Sequence, residues 1–352
     1  MVHTAILGAG AWGTAMAIHL ARRSPSLASA GESDANSVML WARDAEQSKA
    51  LATDRENRKY LPGVRLNPVI RVVATPGEAL AQSRLVLLAV PVAALRPLLL
   101  QVVGHWAATR PPRFLVWLCK GIETDTGLLP HQIVAQCCPG VNGAALSGPS
   151  FAQEVAAGLP VALVAASRSR ACIDVVREAA HHSACRIYAS GDLIGVELGG
   201  ALKNVMAIAA GVSDGLGMGN NARAALLTRG LAEIARLGRC LGASPQTFMG
   251  LSGLGDLLLT ATGDLSRNRQ VGMRLAQGES LLSILASLGH VAEGVPAAAT
   301  ALRLAVRHKV DMPITQAVYE LLSGTCSPRQ ALEALLARGS RMESEWVEPL
   351  SI

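Results

Sequence analysis

Thr4-Ala5-Ile6-Leu7 runs into Gly8-Ala9-Gly10-Ala11-Trp12-Gly13, and apolar residues follow at Ala17, Leu20 and Ala21. A short apolar run, three glycines at G-x-G-x-x-G spacing and apolar residues on one helical face read as strand, tight turn and helix. Gly8 permits the sharp turn, Gly10 lets the backbone approach a pyrophosphate, and Gly13 lets helix and strand pack closely. The helix N-terminus then offers N–H groups and its positive dipole end to the phosphates. A glycine turn of this spacing also occurs for structural reasons alone. Its place at the start of a β-α-β pattern points to dinucleotide binding.

A loop over Ser24–Ser37, rich in Ser, Ala, Asp and Gly, separates this unit from a second apolar strand, Val38–Trp41. Sites specific for NAD usually place a carboxylate at the end of that strand, on the ribose 2′-OH. Here Arg43 stands there with Asp44 behind it. A guanidinium there meets a 2′-phosphate; the alternative is a surface arginine. Further strands are expected at Arg71–Ala74, Leu85–Val90, Phe114–Leu118 and Ala144–Leu146, with helices at Pro76–Ala81 and Ala93–Val103. Outer strands follow at Val161–Ala165 and Arg186–Tyr188, joined by a helix near Ser169–His181. Alternation of this kind predicts a parallel sheet covered on both faces.

Beyond about Asp192 the texture becomes helical, with segments at Ile194–Gly211, Ala222–Leu241, Arg267–Gln277, Leu281–Leu288, Ala297–His308, Pro313–Leu322 and Pro328–Leu336. The expected fold is therefore an α/β Rossmann-type parallel-sheet domain over residues 1–190, followed by an all-α domain over 191–340. Residues 341–352 form a polar tail.

The chain's 352 residues suffice for two domains, and half of them are hydrophobic. Three Phe, three Tyr and five Trp are too few to expect a stacking platform for nucleic acid. The net charge of +6 comes without any run of more than two Lys/Arg, so it reads as a basic enzyme or as attraction for an anionic substrate and cofactor. Seven cysteines, an odd number without C-x-x-C, indicate reduced thiols rather than a disulfide framework. His181-His182 ahead of Cys185 lacks a second half, so no metal is expected. Ala5–Ala21 mimics a signal peptide but has no basic leader. Pro91, Arg96 and Pro97 interrupt the apolar run Leu85–Val103. No membrane insertion is expected, and the location is read as cytoplasmic.

Four further segments carry candidate chemistry. Lys120-Gly121 ends a strand, where ligands of open α/β sheets gather. Ser147-Gly148-Pro149-Ser150 is a turn in which Ser150 reads as the cap of the following helix. Glu197-Leu198-Gly199-Gly200-Ala201-Leu202-Lys203-Asn204 places a lysine in a helix that otherwise reads as buried. Such a lysine is an acid/base of lowered pKa, or else snorkels at a helix edge. Gly253-Leu254-Gly255-Asp256 precedes Leu265-Ser266-Arg267-Asn268-Arg269, which suits phosphate binding at a helix start or is a solvated cap.

These segments occur in the same order in a known family. The sequence resembles bacterial NAD(P)-dependent glycerol-3-phosphate dehydrogenase from Gly8 to at least Glu293, with Gly289-His290-Val291-Ala292-Glu293-Gly294-Val295 as a sixth block. The resemblance implies a Rossmann-type domain followed by a helical one. It implies reversible reduction of dihydroxyacetone phosphate to sn-glycerol 3-phosphate with NADPH or NADH (cofactors NADP and NAD), feeding phospholipid synthesis, in an enzyme that is commonly a homodimer. Carried over by position, Lys203 is the catalytic acid/base. Lys120, Gly148, Ser150, Lys203, Asp256, Ser266, Arg267 and Asn268 line the substrate site. Gly8, Gly10, Ala11, Trp12, Gly13, Arg43, Lys120, Ala152, Arg267, Val291 and Glu293 contact the cofactor. Ala11 departs from the serine often found there, and the Ser24–Ser37 loop is longer than the family's. Two other readings exist: a β-hydroxyacid or ketopantoate-type dehydrogenase, with a carboxylate rather than a phosphate at Arg267, and a non-catalytic NAD(P)H-binding redox sensor, which needs no Lys203 and Asp256 together.

Overall fold

The computed structural model describes residues 3–22, 38–81, 83–106, 114–288 and 292–338. The Ser24–Ser37 loop, Val291 and the 341–352 tail lie outside them. The chain divides into two compact units, Met1–Lys120 with Leu128–Val196, and Gly121–Gly127 with Glu197–Ile352.

In the first unit the chain runs β1 (Thr4–Leu7), α1 (Ala11–Leu20), β2 (Val38–Trp41), α2 (Ala45–Asp54), β3 (Glu56–Asn57), β4 (Leu61–Arg65), β5 (Ile70–Val73), α3 (Pro76–Leu80), β6 (Leu85–Leu88), α4 (Val92–Trp106), β7 (Phe114–Trp117), α5 (Pro130–Cys137), β8 (Asn142–Ser147), α6 (Ala152–Ala157), β9 (Val161–Ala166), α7 (Arg170–Ala180) and β10 (Cys185–Ser190). β3 and β4 form a separate antiparallel hairpin; the other eight strands make one sheet in the order β10-β9-β8-β7-β6-β1-β2-β5. Leaving out the hairpin, strands one to six of that sheet lie in the order 3-2-1-4-5-6, the dinucleotide-binding arrangement. β1, β2, β6 and β7 are buried along their whole length, as apolar runs covered on both faces must be.

The sheet is not wholly parallel. β9 runs antiparallel to β8, and β10 then runs parallel to β9. The chain after β8 comes back through the short helix α6, six residues long.

The second unit is helical: α8 (Leu193–Gly215, whose first residues belong to the first unit), α9 (Gly219–Cys240), α10 (Pro245–Phe248), a π-helical turn (Leu251–Gly255), α11 (Asp256–Thr262), α12 (Arg267–Ala276), α13 (Leu281–Leu288), α14 (Gly294–His308), α15 (Pro313–Leu322) and α16 (Pro328–Leu336). Among the described residues α8 alone is long and apolar enough to cross a membrane, yet 94% of its apolar window is buried. It is a core helix.

Glu233 on α9 is 1% exposed and serves the start of α15, accepting from Ile314 N at 2.6 Å, Thr315 N at 3.2 Å and Thr315 Oγ1 at 3.2 Å. Burial raises its pKa from an ordinary 4.5 to about 7, against the opposing pull of those bonds. The folded state thus binds this proton more tightly than the unfolded chain. The stabilisation is complete below about pH 4.5 and is lost as pH rises through about 7. The shift corresponds to about 3 kcal/mol. Urea unfolding at pH 5 and pH 8 is expected to show this loss in the natural chain and a flatter profile in Glu233→Gln. Parallel profiles would remove Glu233 as the cause.

Candidate functional site

The first unit gathers its candidate residues at the carboxyl ends of the parallel strands. Gly8 follows β1, with its N–H bonded to the Trp41 carbonyl at the end of β2. Its φ is +117°, and a Cβ there would lie 2.3 Å from the Ala89 carbonyl oxygen just beyond β6. A Cβ on Gly13 would lie 1.9 Å from the Gly8 oxygen. Both positions are therefore filled by the protein itself. Gly10 differs, because a Cβ there meets nothing within 4 Å. Its lack of a side chain serves no internal packing, and the open space in front of it lies at the N-terminus of α1, where a backbone free of Cβ lets a pyrophosphate approach. Gly13→Ala should cost about 3 kcal/mol or more of stability, since backbone must move. Gly10→Asn keeps a good helix cap and should leave the thermal midpoint unchanged while abolishing NADPH binding in a fluorescence titration. Normal NADPH affinity in Gly10→Asn would show that the space is not the pyrophosphate's.

Two residues that the sequence reading passed over hold this loop. The Ala9 carbonyl accepts from Gln47 Nε2 at 2.7 Å and from Asn57 Nδ2 at 2.9 Å, and Asn57 also donates to Thr14 Oγ1 at 2.7 Å. Asn57 is buried. No local pattern around Asn57 marks it in the sequence, because its partners lie 43 and 48 residues away. Ala11 and Trp12 are half-buried in the first turn of α1.

Arg43 is exposed just past the end of β2. Asp44 behind it is occupied: its carboxylate caps α2 by accepting from Gln47 N at 3.0 Å, and that bond is the main cause of its lowered pKa. Both residues are exposed, and Arg43 has no hydrogen bond or ion pair among the described residues. At the ends of β7 and β8, Lys120 Nζ donates to the Gly148 carbonyl at 3.2 Å and Ser150 Oγ donates to the same oxygen at 3.0 Å. Ser150 is therefore not the cap of α6. The cap position falls on Phe151, which makes no side-chain capping bond, and Ala152 opens the helix. The hydroxyl turns back because Gly148, at φ +135°, presents its carbonyl toward it.

In the second unit, Lys203 on α8 is 7% exposed, Asp256 0% and Thr260 5%. Lys203 Nζ forms an ion pair with the Asp256 carboxylate and donates to Thr260 Oγ1 at 2.7 Å. Thr260 Oγ1 in turn donates to the Asp256 backbone carbonyl at 2.7 Å, which leaves a lone pair facing the ammonium. Lys203 does not snorkel. Thr260 went unread in the sequence; its four-residue spacing from Asp256 on α11 was the one local hint. The π-helical turn delivers Asp256, as π turns at functional sites often do. Gly199 makes room for that turn, since a Cβ on it would lie 2.6 Å from the Ser252 carbonyl oxygen.

α12 is locked to α8 backbone to backbone. A Cβ on Gly211 would strike the Arg269 carbonyl oxygen at 2.1 Å, and one on Gly272 the Ile208 oxygen at 2.0 Å. Beside Lys203, Asn204 Oδ1 accepts from Asn268 Nδ2 at 3.0 Å, and Asn268 Oδ1 accepts from Gly294 N at 3.0 Å. Ser266 is buried and caps α12 through Arg269 N at 3.3 Å. Arg267, the first residue of α12, is exposed and has no hydrogen bond or ion pair among the described residues. Glu293 is half-buried at the start of α14.

Two family models match the chain: the N-terminal region of NAD-dependent glycerol-3-phosphate dehydrogenase over residues 3–173 and its C-terminal region over 192–333. Proteins called glycerol-3-phosphate dehydrogenase (NAD(P)+) from Methylibium petroleiphilum and Ralstonia nicotianae are each 52% identical, over 342 and 348 residues. Each match spans 96% of this chain, with 97% of the first relative and 98% of the second. The crystal structure of glycerol-3-phosphate dehydrogenase from Coxiella burnetii superposes with a TM-score of 0.88 at 36% identity, over 95% of this chain and 98% of that one. With a dinucleotide-type glycine loop in one unit, a buried Lys-Asp pair in the other, and these matches running nearly end to end, the chain belongs to the NAD-dependent glycerol-3-phosphate dehydrogenase family.

Proposed function

We propose that this chain interconverts dihydroxyacetone phosphate and sn-glycerol 3-phosphate with NADPH or NADH, supplying glycerophospholipid synthesis in the cytoplasm, as a homodimer. The observation that carries the reading is the buried Lys203–Asp256–Thr260 cluster, tied through Asn204–Asn268 to a helix start whose Arg267 has no hydrogen bond or ion pair among the described residues. The cofactor supplies a hydride to the ketone carbon. Lys203 polarises the ketone oxygen and donates the proton that completes the alcohol. Asp256 keeps the ammonium charged, and Thr260 fixes its direction. The phosphate sits at the N-terminus of α12, held by Arg267 and by free N–H groups of the first turn beside Ser266 and Asn268. That remote contact orients the ketone toward Lys203. Lys120, Gly148 and Ser150 meet substrate at the ends of β7 and β8. Trp12, Arg43, Ala152, Val291 and Glu293 meet cofactor, together with the glycine loop.

The direct test is loss of NADPH absorbance on adding dihydroxyacetone phosphate; no loss with either cofactor would overturn the reading. The same assay reads Arg43. A guanidinium at the end of β2 pairs with the 2′-phosphate of NADPH and leaves the free 2′-OH of NADH unobstructed. Arg43→Ala should lower kcat/KM for NADPH about tenfold, a loss of about 1.5 kcal/mol, and change NADH much less. Arg43→Asp should favour NADH outright. An NADPH/NADH ratio constant within about twofold across the three proteins would make Arg43 a surface residue.

A further inference from the structure

One cleft of the first unit has no part in this scheme. It is an open cleft of about 700 Å³ where the C-terminal end of α1 faces β4 and the segment leading to β5, a volume within the range of small-molecule sites. Ile18, Val64 and Leu66 give it an apolar wall, and Arg22, Arg55 and Arg65 line it. Among the described residues no carboxylate lines it.

Among the described residues none of the three arginines pairs with a carboxylate. Arg22 donates to the carbonyls of Val155, at 2.9 Å, and Ala156 at the end of α6. Arg55 donates through Nη2 to the carbonyls of Asn67 at 2.7 Å and Ile70 at 2.9 Å. Arg65 is exposed, and its side chain has no hydrogen bond or ion pair among the described residues. Carboxylates are close in sequence, since Asp54 and Glu56 flank Arg55, yet both pair with Arg58, at 3.5 and 3.9 Å. Backbone carbonyls satisfy N–H donors without cancelling charge. The cleft thus holds three like charges, two of them pinned in place by backbone. Such pinning is the preorganisation an anion site needs, because the guanidiniums lose little freedom when a ligand arrives. Each pinned guanidinium has five N–H donors and spends only some of them on carbonyls.

The cleft is not the dinucleotide loop. Arg22 lies beyond the C-terminal end of α1 and Gly10 precedes its N-terminal end, with a helix about 15 Å long between them.

We propose that this cleft is a second anion site, binding a ligand that carries a multiply charged phosphate group on an apolar body. Such a group can belong to a soluble metabolite or to a lipid headgroup. The probe is inorganic tripolyphosphate, titrated calorimetrically into protein saturated with NADPH so that the glycine loop is filled. The natural chain should show a saturable binding step. Arg65→Ala should weaken that step about tenfold, Arg55→Gln similarly, and Arg65→Glu should remove it. Arg65 has no structural partner to lose, so its variants should keep the thermal midpoint and the basal turnover. A step that survives Arg65→Glu unchanged, or no saturable step at all, overturns the proposal. Sedimentation with phosphatidylglycerol vesicles separates the sources: binding that Arg65→Glu abolishes assigns the phosphate to a headgroup, and no vesicle binding assigns it to a soluble ligand.

Discussion

Lys203→Ala is expected to lower kcat for dihydroxyacetone phosphate reduction by about 10²- to 10⁴-fold, the usual contribution of a positioned proton donor. NADPH affinity should hold within about twofold, because the glycine loop belongs to the other unit. The variant also strands a buried carboxylate, since Asp256 is fully buried and loses its cation. That loss is of the kind that costs about 3–5 kcal/mol. Activity must therefore be compared well below the variant's unfolding midpoint. The double variant Lys203→Met, Asp256→Asn removes both charges and should recover stability but not turnover. Near-normal kcat in either folded variant would take the proton-donor role away from Lys203.

Arg267→Ala is expected to raise KM for dihydroxyacetone phosphate about 10- to 150-fold, the loss of a charge-assisted contact of about 1.5–3 kcal/mol. Turnover of unphosphorylated dihydroxyacetone should be low in the natural chain and almost unaffected by the change. The preference for the phosphorylated ketone is thus the sensitive readout. Arg267 is exposed, so the natural preference should also shrink as salt is raised. If the variant keeps its preference, the phosphate does not sit at the start of α12. Stability should not change, because this exposed side chain has no hydrogen bond or ion pair among the described residues.

How much of this was legible beforehand follows from the range of the interactions involved. β1 and β2 were read to the residue, because four-residue apolar runs bounded by glycine, alanine or loop are local signals. α13, α15 and α16 were also read end to end, and the last two start with proline at their first turn. The glycine motif already separated the roles of Gly8, Gly10 and Gly13, but not what fills the space at each. That depended on the Ala89 carbonyl beyond β6, which closes off Gly8 and leaves Gly10 open. α2 was missed because only Leu51 of its ten residues is buried, so it carries no apolar stripe. The β3–β4 hairpin was missed because Pro62 and Gly63 make it look like loop.

The sequence by itself determined the class of fold, the position of the dinucleotide turn and the presence of a lysine in an apolar helix. It left open whether that lysine snorkels or is buried, which tertiary structure alone decided, and it read Ser150 as a helix cap, whereas the hydroxyl turns to the Gly148 carbonyl two residues back. Lys203 meets Asp256 and Thr260 across 53 and 57 residues, and Asn204 meets Asn268 across 64. Asn57 reaches Ala9 across 48. Local periodicity fixes which face of a helix is apolar, but not which distant helix will lie against it. At α8 that choice rests on backbone contact at Gly199, Gly211 and Gly272, where any side chain would hold the helices apart and leave the Lys203 ammonium buried without its carboxylate.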